Sequence, residues 1–140
     1  MTRDITARLV LGGRVSGQTG FYPGVAEEAA LALQAEVPLF PVGAFGGCGR
    51  LVIDAMRGRM PTEFSLEYQL EHTSGYEELL VSAGRHGSHP DFESLQSTFA
   101  SARWPELRNG LRAHENERLA ITDDIDEIIA LFLRGLRSLS

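Results

Sequence analysis

Residues 12–33 read GGRVSGQTGFYPGVAEEAALAL. Glycines stand at 12, 13, 17, 20 and 24, and an alanine- and leucine-rich run follows at once, opened by Glu27 and Glu28. One glycine serves a turn; five in one loop point to backbone that must pass close to something. Upstream, ARLVLGG (7–13) is a short apolar run stopped by glycines, the pattern of a buried strand. Downstream, GVAEEAALALQAE (24–36) is built of strong helix formers, with Val25, Ala29 and Ala32 on one face and Leu33 beside it. Pro23 suits a first helical turn, where a missing N–H costs little. The order is strand, glycine loop, helix.

The same order then repeats. VPLFPVG (37–43) is a second apolar run, AFGGCGR is a second glycine loop, and RLVIDAMRG (50–58) is a short helix ending at Gly58. Two consecutive strand–loop–helix units require parallel strands with right-handed crossovers. The predicted fold class is therefore α/β, a Rossmann-like parallel sheet flanked by helices. Past residue 58 the pattern is mostly helical. TEFSLEYQLEHTSG breaks near Gly75, Ser74 and Glu77 form the outline of a capping box, and PDFESLQSTFASA starts at Pro90. RLAIT (118–122) reads as a last short strand. TDDIDEIIALFLRGLRSL carries Ile125, Ile128, Ile129, Phe132, Leu133 and Leu136 at helical spacing, a helix with one buried stripe, capped by Thr122. Asp123, Asp124 and Asp126 sit at its positive end, Arg134 and Arg137 near its negative end.

Length and composition bound the function. The chain has 140 residues, the size of a single domain spanning 1–140. Its net charge of −6 excludes a general affinity for nucleic acid, which needs a basic face. One cysteine, Cys48, allows neither an internal disulfide nor a multi-cysteine zinc site. Cys48 reads as buried packing. The histidines lack H-E-x-x-H spacing, and His86 and His89 in a turn near Asp91 are discounted as ligands, so no metal is expected; no cofactor is expected either. No apolar run is long enough for a membrane span, and MTRDITARLV lacks a signal peptide's apolar segment, so the expected location is cytoplasmic.

A glycine loop at the carboxyl end of a parallel strand leaves N–H donors at the next helix N-terminus, and these favour a phosphate or carboxylate. Two such loops, 12–24 and 44–49, would line one crevice if their strands are neighbours. AFGGCG alone is adequately explained as a tight turn; both loops together favour a ligand site. The candidate ligand-binding residues are Gly12, Gly13, Arg14, Gly17, Tyr22, Gly24, Glu27, Glu28, Gly46, Gly47 and Arg50. Arg14 and Arg50 offer charge to an anion or are solvated surface arginines. Tyr22 and Phe21 stack on a base or fold under the loop, Phe21 being the better core candidate. Glu27 and Glu28 hold a sugar or merely complement the helix dipole. GRVSGQTG has no P-loop lysine, and GAFGGCG is only loosely the dinucleotide fingerprint, without the acidic residue that should follow.

FYPGVAEEA resembles another pattern, the PGGxGTxxE motif of the lysine-decarboxylase-like LOG proteins, nucleoside-monophosphate phosphoribohydrolases. Gly24, Val25, Ala26, Glu27 and Glu28 overlay its GTxxE portion, and Pro23 with Gly24 echoes its PG. The wider run from LGGRVSGQTG to AFGGCGRLV looks most like the SLOG superfamily, whose members in bacterial conflict systems look like sensors or processors of nucleotide-derived signals. The likeness covers residues 7 to about 58, and more weakly NGL…EN…L…TDDIDEIIALFLRGL. It implies a nucleotide-type ligand such as an ADP-ribose derivative, and a signal-sensing role in antiphage defence. It also implies a half-domain lacking its first βα units, completed by a homo-oligomer or a partner chain. Val25 stands where the enzymes have Thr, and their partner arginine has no match. Two alternatives follow: a nucleotide N-glycosidic-bond hydrolase with Glu28 as the catalytic carboxylate, or a half-domain that binds only protein.

Overall fold

A computed structural model describes residues 6–140; residues 1–5, part of the stretch read above for a signal peptide, lie outside the described residues. Strand β1 (Arg8–Leu11) leads through the first glycine loop to α1 (Gly24–Gln34). Strand β2 (Leu39–Val42) leads through the second to α2 (Gly47–Met56). Five helices follow: α3 (Leu66–His72), α4 (Tyr76–Gly84), α5 (Phe92–Ser101), α6 (Ala113–Ile121) and α7 (Ile125–Leu139). The two strands are parallel neighbours, paired from Arg8 with Leu39 to Leu11 with Val42. The architecture is α/β, consistent with a Rossmann-like half-domain, and no helix among the described residues is long and apolar enough to cross a membrane.

Side chains alternate across the strands and separate two cores. Val10 and Leu39 face α1, α2 and α5, where the small buried residues Ala26, Ala29, Ala30 and Ala32 let α1 approach closely. Phe40 and Val42 face the other way, onto Leu111, Leu119 and Ile128. The Phe132 ring meets Phe40 edge-on at 4.8 Å. Every residue of β2 is buried, whereas β1 buries only Val10.

Four expectations change. Residues 118–121 belong to α6, because Arg112 and Glu115 start a helix there: the Arg112 N–H donates to the Glu115 carboxylate at 2.9 Å. That bond, with the neighbouring Arg134, holds the Glu115 carboxyl below the usual range. Helix α4 is not capped by Ser74; Gly75 is its N-cap, in the left-handed region. Helix α7 is capped by Asp124, which accepts from the N–H groups of Asp126 and Glu127. Thr122 instead donates to the Glu127 carboxylate and accepts from the Asp124 N–H. Finally, the stripe of α7 is only partly buried: Ile128 is covered, while Ile125, Ile129 and Leu133 are exposed.

Helix α7 is tied to its neighbours by close backbone contact and by charge. An added Cβ on Gly135 would lie 2.4 Å from the Phe40 ring. Arg134 pairs with Glu115, and Arg118 grips Glu127 with two hydrogen bonds of 2.8 Å. Those bonds and the one from Thr122 hold the Glu127 carboxyl at about 2. A folded-state value depressed below the unfolded one stabilises at neutral pH, and the contribution disappears as pH falls from the ordinary carboxylate range through about 2. The Tm gap between wild type and Glu127→Gln is therefore expected to shrink steadily below about pH 4.5. A gap independent of pH would show that the ion pair contributes nothing.

The loop NGL (109–111) is held by a buried amide pair. Asn109 donates to the Leu39 carbonyl and to Asn116, each at 2.8 Å, and its own oxygen accepts from the Leu111 N–H. Asn116 donates on to the Pro105 carbonyl. Truncating either leaves buried backbone groups unpaired. Asn116→Ala is expected to lose about 2 kcal/mol in denaturant melts; a loss below about 0.5 kcal/mol would mean the pair does not anchor this loop.

Candidate functional site

The carboxyl ends of β1 and β2 lie side by side, so both glycine loops open on one edge. Beyond Leu11 the chain turns at Gly12 and Gly13, and their carbonyls accept from the N–H groups of Gly49 (2.7 Å) and Cys48 (2.9 Å). These donors belong to the first turn of α2, so part of the donor set expected for a ligand at this helix is occupied by the first loop. Glycine in the second loop permits the contact: a Cβ on Gly47 would lie 2.5 Å from the Gly13 oxygen, and one on Gly49 2.9 Å from the Gly12 nitrogen.

Helix α1 is different. Among the described residues no acceptor takes the N–H of Gly24 or Val25. Gly24 is exposed, and a Val25 methyl packs against Gly13. Gly12, Gly13, Gly24 and Gly47 are thus brought together around the open N-terminus of α1. Cys48 beneath them is fully buried, and burial pushes its thiol up to about 12. It is a packed, protonated thiol.

The remaining candidates spread outward. Arg14 is exposed and donates to the Gly17 carbonyl at 3.1 Å, closing its own loop. Glu27, closing the first turn of α1, and Glu28, just after it, are exposed, and Glu27 lines a groove of about 310 Å³ with Tyr22, Asp91 and Ser94. Tyr22 packs edge-on against Phe92 at 5.1 Å, and its hydroxyl accepts from the Asp91 N–H. Of the two aromatics it is Tyr22, not Phe21, that joins the core. Gly46 precedes α2. Arg50, on the exposed side of α2, lines a different groove of about 300 Å³ with Gly43, Ala44, Arg57 and Arg59. Arg57 is paired with Glu117 and Arg59 lies 3.7 Å from Asp54, so Arg50 is the groove arginine with no carboxylate partner among the described residues.

The hydrophobic pattern gave no warning of what holds the first loop. Gln69 is fully buried and donates to the carbonyls of Val15 and Glu63; its own oxygen accepts from Gln18 and Thr73. The Thr73 hydroxyl accepts from the Gly17 N–H, and the Tyr76 hydroxyl donates to the Phe21 carbonyl. Helices α3 and α4 therefore fix the loop from behind. The one available signal was the i, i+4 spacing of Gln69 and Thr73 on a single helix face.

No curated protein and no solved structure matches the chain. The profile of a protein family, SLOG cluster2, matches residues 1–119, which takes in both strands, both loops, and all but the last two residues of α6. With that coverage, the chain belongs to the SLOG superfamily, through its cluster2 family.

Proposed function

We propose that the chain binds a nucleotide-derived ligand at the shared carboxyl edge of β1 and β2, and senses it without cleaving it. The observation that carries this reading is the open N-terminus of α1. The Gly24 and Val25 N–H groups have no acceptor among the described residues, and they sit beside Gly13 and Gly47 at the ends of two adjacent parallel strands. A phosphate there gains donors and the positive end of the helix dipole. Glu27 and Glu28, one turn in, take the ribose hydroxyls. Arg14 exchanges its bond to Gly17 for the phosphate, and Arg50 receives a second anionic group. Val25 offers a methyl where the resembling hydrolases have a hydroxyl, which favours capture over turnover. In the conflict-system members that the sequence resembles, such capture belongs to a signalling role, and it requires two states of the protein with different ligand affinity.

A thermal-shift panel of AMP, NAD, ADP-ribose and cyclic ADP-ribose isomers tests the reading. A ligand at about 100 times its Kd is expected to stabilise by roughly 2.7 kcal/mol. The shift should shrink in Arg14→Ala and Arg50→Ala. No shift across the panel would leave a protein-binding half-domain as the better account. Release of free base, abolished by Glu28→Gln, would replace the sensor with a hydrolase.

A further inference from the structure

Helix α7 carries more apolar surface than this chain covers. Gly135 and Ile128 are buried and Phe132 meets Phe40, so this side faces the sheet. Glu127 and Arg134, on a second side, are held by Arg118 and Glu115 of α6. The side away from α6 carries Ile125, Ile129 and Leu133 at i, i+4, i+8 spacing, and they are 55 %, 51 % and 46 % exposed. On the same face of the sheet, Leu9 and Leu11 of β1 pair in register with Phe40 and Val42, yet remain 38 % and 43 % exposed. Single exposed leucines are ordinary; an ordered apolar row along one helix face marks an interface.

The charges around the row select its occupant. Asp126 and Arg137 flank the exposed row at opposite ends of α7, both are exposed, and neither has an ion-pair partner among the described residues. We propose that α7 packs antiparallel against α7 of a second copy of this chain, about a two-fold axis near Leu131. That arrangement opposes Ile129 to the partner's Leu133 and sets Asp126 beside the partner's Arg137, and both contacts occur twice by symmetry. The two helix dipoles also run head to tail. A parallel pairing would run the two helix dipoles the same way and leave each Asp126 and the partner's Arg137 at opposite ends of the pair. Helix α7 lies beyond the residues that match the family profile. The pairing does not depend on the nucleotide reading.

Sedimentation velocity over a concentration series tests the proposal on the whole chain. A monomer–dimer equilibrium is expected, and Ile129→Asp is expected to weaken it about tenfold or more. Because Ile129 is exposed, the variant should keep the wild-type circular dichroism spectrum and so report on association alone. Asp126→Arg and Arg137→Asp should each weaken the dimer, and the two together should restore it, since the swap recreates both opposite-charge contacts. A monomer at every concentration, a dimer indifferent to Ile129→Asp, or a charge swap that fails to restore association would each overturn the proposal. The last outcome would point to a different partner on this face.

Discussion

Gly110→Ala is expected to cost about 3–4 kcal/mol, a drop in Tm on the order of 10 °C. The loop at Gly110 touches α7 backbone to backbone: an added Cβ would lie 2.1 Å from the Gly135 carbonyl oxygen and 2.9 Å from its carbon. Neither atom can rotate away, so the loop or α7 must move, and the buried Asn109 beside it cannot follow without releasing Leu39. The left-handed φ of +83° adds its own strain. Gly75 separates the two effects. It has a similar φ of +80° and nothing within 4 Å of an added Cβ. Gly75→Ala should cost about 1–2 kcal/mol, the strain alone. Equal losses in the two variants, measured by urea denaturation, would remove the contact as the cause.

Gly47→Ala should act in the same way at the candidate site, with a loss of about 3 kcal/mol. Its Cβ would lie 2.5 Å from the Gly13 oxygen, which is the acceptor of the Cys48 N–H. Relief of that overlap separates the first glycine loop from α2. Gly46 is the control: its φ is +68° and an added Cβ meets nothing within 4 Å, so Gly46→Ala carries only backbone strain. Hydrogen exchange adds a local reading. The Cys48 and Gly49 amides should be protected in wild type and in Gly46→Ala, and exchange faster in Gly47→Ala. Unchanged protection in Gly47→Ala would mean that the loop–helix bonds do not depend on this glycine. If the ligand reading holds, Gly47→Ala should also lose the nucleotide-induced shift, because Gly13 and the α1 N-terminus would no longer be held together.

These two glycines show how the site was read. The five glycines of the first loop marked a close approach, and the strand–loop–helix order on each side placed it at a sheet edge. What the loop approaches was not legible. Part of the answer is the chain itself, since Gly12 and Gly13 use their carbonyls on α2. The residues that restrain the loop, Gln69, Thr73 and Tyr76, lie about 55 positions away, and polar groups buried by a network have no periodic signature. Likewise Tyr22, Glu27 and Arg50 fall within one expected constellation, yet Tyr22 and Glu27 line one groove and Arg50 another.

Local order in the sequence was sufficient for both βα units and for the terminal helix, because helix and strand patterns depend on neighbours within four residues. The family resemblance carried by residues 7 to 58 followed from the same stretches. Tertiary structure decided the rest. It made residues 118–121 the end of a helix rather than a strand, because the Arg112–Glu115 start and the packing of Leu119 on the sheet outweigh a short apolar run. It moved the α7 cap from Thr122 to Asp124, because the Thr122 hydroxyl is already bonded to Glu127. It also divided the apolar stripe of α7. The spacing showed which residues share a face; only the positions of β2 and α6 decided which half of that face this chain covers and which half is left for another.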